Sequence, residues 1–184
     1  MPAGRLIQSP YFATGNPETE EYTALPAASS TLPPRGHLGQ VADFDQGGIA
    51  GPVNLCRYQL VKCAAAITPI VGNVMYWSDK TINEVTTAKT NRGAVAGICR
   101  IAAAAAAEYI WILKKGDRGV LFQAAPTSAP DTTGKPVVAS STTDGTANCL
   151  ATSETQAAFP LIGVAISAAA ASIATVRVNI PDAY

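Results

Sequence analysis

Histidine is almost missing from this chain: there is one, His37, in 184 residues. A Ser-His-Asp or Cys-His arrangement would rest on that single side chain, which sits on a Pro/Gly-rich stretch, so nucleophilic catalysis of that type is disfavoured. Charge is scarce as well. Asp, Glu, Lys and Arg make up 14% of the residues, against about 25% in an average protein. Thirteen basic residues face thirteen acidic ones, for a formal net charge of zero. That balance argues against sequence-independent nucleic-acid binding, which draws its affinity from excess cation on phosphate. It argues equally against electrostatic attachment to a membrane. Aromatics are 7%, so any core is built mainly from small residues. The four cysteines, Cys56, Cys63, Cys99 and Cys149, form no CxxC and lie far from His37 in sequence. They therefore read as small buried hydrophobes rather than zinc ligands. A disulfide stays open as an alternative, with Cys56 and Cys63 the pair that a turn would bring together. The first residues, MPAGRLIQSPYF, contain no continuous apolar run of the kind a secretory leader needs. The expectation is synthesis in a reducing cytoplasm.

Two further sites are weak. Asp43 and Asp45 in DFDQGG lack the spacing and the terminal Glu of a calcium-binding loop. GKPVV at Gly134 lacks the upstream glycine and following Ser/Thr of a phosphate loop. The remaining acidic residues fall mostly in expected turns, where Asp caps the backbone. The chain is read as a non-enzyme with no cofactor and no metal. Ala157–Val176 is uncharged over a length that would cross a bilayer. It contains Pro160 and Gly163, is dominated by alanine, and has Arg177 as its one adjoining cation and no Trp/Tyr belt. No membrane span is expected there.

What is present divides the chain in two. Residues 1–52 hold seven of the 13 prolines, which rules out a long helix or a central strand. This stretch reads as an extended arm. It is dotted with apolar residues, which a disordered tail would lack. It lies either over its own domain or along a partner. Leu6, Ile7, Tyr11, Phe12, Tyr22, Leu38 and Phe44 are its candidate partner-facing residues.

Residues 53–184 read as one β-domain. Short β-prone runs recur between turn signals. They fall at Leu55–Ala65, Val74–Trp77, Thr81–Thr87, Val95–Ile101, residues 108–113, Val120–Gln123, Val137–Ser140, Asn148–Thr152, Leu161–Ser167 and Ile173–Ile180. KKGDRG, residues 114–119, reads as a turn. TTDG, Thr142–Gly145, reads as a hairpin turn. The alanine run 102–107 is too short for an independent helix and reads as a tight connection. The fold expected is all-β, a β-sandwich or β-barrel of about ten short strands with an extended N-terminal arm.

A weak internal duplication runs through this domain, over 72–113 and 134–180. GAVAGICRIAAAAAAEYIWIL returns in plainer form as LIGVAISAAAASIATVRVNI, and Gly97 matches Gly163. Counting from each glycine, Ile110 falls on Val176 and Ile112 on Val178. Upstream, GNVMYWSDKT from Gly72 resembles GKPVVASSTTDGT from Gly134. The aromatics Trp77, Tyr109 and Trp111 are candidates for the core or for a surface platform, with the core favoured.

Four pieces carry a family resemblance over roughly residues 55–180: YQLVK, PIVGNVMYWSDKT, RGAVAGICRIAAAAAAEYIWILKKG and FPLIGVAISAAAASIATVRV. Together they resemble the small capsid decoration, or head cement, proteins of tailed bacteriophages. In these a glycine-led strand, an alanine/glycine turn and a Y-x-W-I/V strand recur, sometimes twice. The resemblance implies a structural virion protein on the capsid surface that adds contact area across subunit boundaries and performs no chemistry. Its implied partners are the major capsid protein and further copies of itself. A homotrimer is favoured because icosahedral shells offer three-fold positions. An extended arm reaching about 3.3 Å per residue would supply much of the roughly 1,200–2,000 Å² that a specific interface buries. Arm and body, being tethered, would raise each other's effective concentration. The alternative is a receptor- or glycan-binding β-module, such as a head fibre or spike component, which solvent-facing Tyr or Trp over a polar groove would support; the sequence does not orient Trp77 or Trp111.

Overall fold

The computed structural model describes residues 5–6, 21–22, 38–45, 54–65, 67–101, 109–122, 133–150 and 160–181. The described structure is almost entirely β, as expected. Three N-terminal strands come first: β1 (Arg5–Leu6), β2 (Glu21–Tyr22) and β3 (Val41–Asp45). The body follows with β4 (Leu55–Cys63), β5 (Val74–Asp79), β6 (Glu84–Thr86), a 3-10 turn at Lys89–Asn91, β7 (Val95–Cys99) and β8 (Tyr109–Leu121). It ends with β9 (Pro136–Ala139), β10 (Ala147–Cys149), β11 (Leu161–Ala165) and β12 (Ile173–Asn179). Ten of these strands have three or more residues. Strands β11 and β12 occupy much of the uncharged stretch near the C-terminus, and no described helix is long and apolar enough to cross a membrane. The alanine run 102–107 lies outside the described residues.

Five strands close into a barrel. Strand β4 pairs with β6 in parallel, β6 with β5, β5 with β7, β7 with β8, and β8 returns to β4, all antiparallel after the first. Closure removes free sheet edges. Inside this first ring lie Val61, Cys63, Met75, Trp77, Val85, Ala96, Cys99, Ile110 and Ile112, one compact apolar cluster drawn from all five strands.

A second ring repeats the first. Strand β8 pairs with β12, β12 with β11, β11 with β9, and β9 with β10, all antiparallel. A single parallel bridge, Phe122 to Ala147, returns β10 to the end of β8. The registers of the two rings also match. Cys63 faces Val85 as Phe122 faces Ala147. Val61 faces Ile110 as Val120 faces Ala174. Met75 faces Gly97 as Val137 faces Gly163. Trp77 faces Val85 as Ala139 faces Ala147. Even the irregularity recurs, since each ladder skips the residue before its glycine, Ala96 in one ring and Ile162 in the other. All nine positions that fill the first ring have buried apolar counterparts in the second. Bulk moves between them: Trp77 and Cys63 of the first ring correspond to Ala139 and Phe122 of the second. The large and small partners are exchanged so that each interior stays filled.

The ladders shift one expected correspondence. Cys99 pairs with Ile112, thirteen positions on, whereas Ala165 pairs with Val176, eleven positions on. The structural counterpart of Val176 is therefore Ile112, not Ile110, because the connection from β7 to β8 is two residues longer. The side-chain period of a strand is two, so the same face stays inside.

Strand β8 is the main departure from the sequence expectation. Residues 108–113 and 120–123 read as two strands separated by a charged turn. Instead, Tyr109–Leu121 is one strand of 13 residues. Lys114 turns inward, is fully buried, and donates from Nζ to the Ala96 carbonyl at 2.7 Å. Its ammonium lies 5.8 Å from the centre of the Trp77 ring, within cation–π range. Gly116, at φ 136°, bends the strand without ending it. The first half of β8 thus closes the first ring and the second half opens the second. A smaller difference lies in β6, expected from Thr81 but starting at Glu84. Residues 80–83 form the turn instead, with Asn83 at φ 51°.

Candidate functional site

The N-terminal strands join the body. Strand β3 pairs along β4, β1 pairs with β3, and β2 pairs with the start of β8. These registers set Leu6 opposite Phe44 and Tyr22 opposite Tyr109. Leu38 is half-buried in the turn before β3. Ile7, Tyr11 and Phe12 lie outside the described residues. Phe44 falls on the own-domain side of the arm reading. It is 5% exposed, with its ring edge-on to Tyr58 at 5.7 Å and to Trp111 at 5.8 Å. An aromatic trio of this kind is a core contact, so Phe44 packs into the chain's own fold.

The three body aromatics are also placed inward. Trp77 is 4% exposed within the first ring, Trp111 is 3% exposed beside Phe44, and Tyr109 is half-buried. Neither tryptophan offers the solvent-facing platform that would support a glycan-binding reading. Tyr76 is a further buried phenol. Burial first, and then the carboxylate of Asp144, push its ionisation well above the usual phenol range, so it stays neutral. The four cysteines are buried and none is in a disulfide. Cys56 and Cys63 both lie on β4, but Cys63 points into the first ring while Cys56 belongs to the other, larger core. Their side chains leave the strand on opposite faces, which excludes a bridge between them.

Several charged groups of the described surface pair across strands, among them Arg57 with Asp43 and Arg177 with Asp117. Asp43 takes a bidentate contact from Arg57, Nε to Oδ1 at 2.8 Å and a second guanidinium nitrogen to Oδ2 at 3.0 Å. This cross-strand pair occupies the carboxylate that the weak calcium reading would need. Among the described residues, no cluster of three or more His, Cys, Asp or Glu side chains is placed to hold a metal.

A surface cleft of about 370 Å³ lies where β4 parts from β8 at the Gly116 bend. Asn54, Leu55, Lys115, Gly116, Asp117 and Arg177–Asn179 line it. Arg177 grips Asp117 there through two 3.1 Å contacts between β12 and β8. The hydrogen bond and charge of Asp117 push the guanidinium still further from neutrality. A second cleft of about 200 Å³ lies between Trp77, Lys80 and Val95 on one side and Pro160, Leu161 and Pro181 on the other. Neither cleft brings a nucleophile to a base or two carboxylates together. The first cleft is not legible in the sequence, because the residues around Gly116 read as a turn, and only the continuity of β8 sets Asp117 opposite Arg177. No protein-family model, curated protein or solved structure matches the chain.

Proposed function

We propose that the chain is a structural virion protein that binds the outer surface of a tailed-phage capsid and stabilises the shell by bridging its subunits. The observation that carries this reading is the way N-terminal extended strands are laid onto a double β-ring body. A β-body with strand-like additions is suited to recognising a partner by area and shape, and the clefts described above hold no reactive pair. The zero net charge and the sequence resemblance support the same reading. A homotrimer at three-fold positions of the shell fits the role, with the major capsid protein as partner.

The test is an add-back assay. Purified chain is mixed with shells that lack it, and binding and the temperature of shell rupture are both measured. Saturable binding with a higher rupture temperature is expected. No binding, or binding that leaves the rupture temperature unchanged, contradicts the proposal.

A further inference from the structure

We propose that β8 couples the two rings into one cooperative unit, so that order gained or lost in one ring is transmitted to the other. Repeated structural units in one chain are often separable, joined by an exposed linker that few contacts cross. Here the joint is itself a hydrogen-bonded strand. Lys62 through Arg57 of β4 pair with Tyr109–Lys115, and β12 takes over from Lys115 to Leu121. No residue of β8 is left as a spacer between the rings.

The joint has little freedom. A Cβ added at Gly116 would stand 2.5 Å from the sulfur of Cys56 on β4, so the bend is packed as well as paired. The larger apolar core spans both rings. It contains Tyr58, Trp111 and Leu113 from the outer side of the first ring together with Val120, Phe122 and Val176 from inside the second.

The rings also meet at a second place. The tip of the β9–β10 hairpin docks on the end of β5 and β6. Val74 donates its N–H to the Gly145 carbonyl, and Gly145 donates to the Thr87 carbonyl, both at 2.8 Å. The Asn73 side chain adds a 2.9 Å bond to the same Gly145 carbonyl. Lys89 donates its backbone N–H to the Asp144 carboxylate and its ammonium to the Thr142 carbonyl. A shared strand at one end and this clasp at the other join the rings twice. Opening either ring therefore breaks ladder bonds or clasp bonds that the other needs. Strong coupling between neighbouring repeats makes them unfold together. By reciprocity, a partner that grips one ring stabilises the other by the same coupling free energy. This inference is independent of the capsid reading.

A matched pair of substitutions tests it in the full chain. Val61→Ala and Val120→Ala remove the same groups from equivalent, fully buried positions of the first and second ring. Amide hydrogen exchange is then followed in β5–β7 and in β11–β12. Coupled rings lose protection by a common factor in both segments, whichever valine is truncated. Loss confined to the ring that carries the substitution overturns the proposal. Should either variant fail to fold, the unsubstituted chain decides the matter through exchange under rising denaturant. Convergence of both segments on one opening free energy supports coupling, and two separate openings contradict it.

Discussion

The Asp79 carboxylate accepts from the backbone N–H of Thr81 at 2.8 Å and from its hydroxyl at 2.7 Å. These bonds, the hydroxyl first, hold the carboxyl below the usual carboxylate range. A depressed folded-state pKa contributes stability above the unfolded group's titration, and that contribution disappears as pH falls through the folded value. Asp79→Ala should therefore lower the urea midpoint at neutral pH, with the difference shrinking as the pH is taken down through the carboxylate range. A difference that persists in acid would show that the ionised carboxylate is not the source. This turn was partly legible, because Asp at a turn has a local mechanism. Lys114 was not legible. Nothing beside it in KKGDRG indicates that one of two adjacent lysines is buried, and its acceptor, the Ala96 carbonyl, is brought to it by the β7–β8 ladder. Phe44 is a similar case. Its local surroundings are an arm rich in proline and glycine, while its ring partners, Tyr58 and Trp111, lie on β4 and β8.

At the scale of elements, the glycine at the centre of β7 and of β11 has one physical explanation. A Cβ at Gly163 would lie 2.0 Å from the Arg177 carbonyl oxygen on β12. A Cβ at Gly97 would lie 2.8 Å from both the Ile112 side chain and the Leu113 carbonyl on β8. Each glycine lets two backbones approach next to a bulge. Gly163→Ala should cost about 1–3 kcal/mol in urea unfolding, as overpacking does. Gly93→Ala, with nothing within 4 Å of its added Cβ, should stay within about 0.5 kcal/mol of the parent. Equal effects at the two sites would contradict this account of the glycines. Most strands were readable because alternation and turn residues act locally: β4, β5, β7, β9, β11 and β12 all fall on expected runs. The boundary of β6 and the continuity of β8 were not readable. Both depend on which strand lies alongside, and periodicity within one segment carries no such information.

At the scale of the whole molecule, the all-β class followed from many short runs between turns, and closure of the first ring decides for a barrel over a sandwich. The matched registers of the two rings supply what the sequence comparison lacked. Apolar residues exchange freely between the two interiors, as Trp77 and Ala139 do, so chemical likeness fades while ladder positions persist. Low charge and an N-terminal stretch that adds strands to the body fit the proposal of a protein that acts through its surface. The place proposed for this surface is on a capsid. Copy number tests it, with particles purified from the source and this chain quantified against the major shell protein. A decoration protein predicts a fixed stoichiometric ratio that repeats from preparation to preparation. Only a few copies per particle would point to a vertex or fibre component, and no chain on the particle would contradict the account.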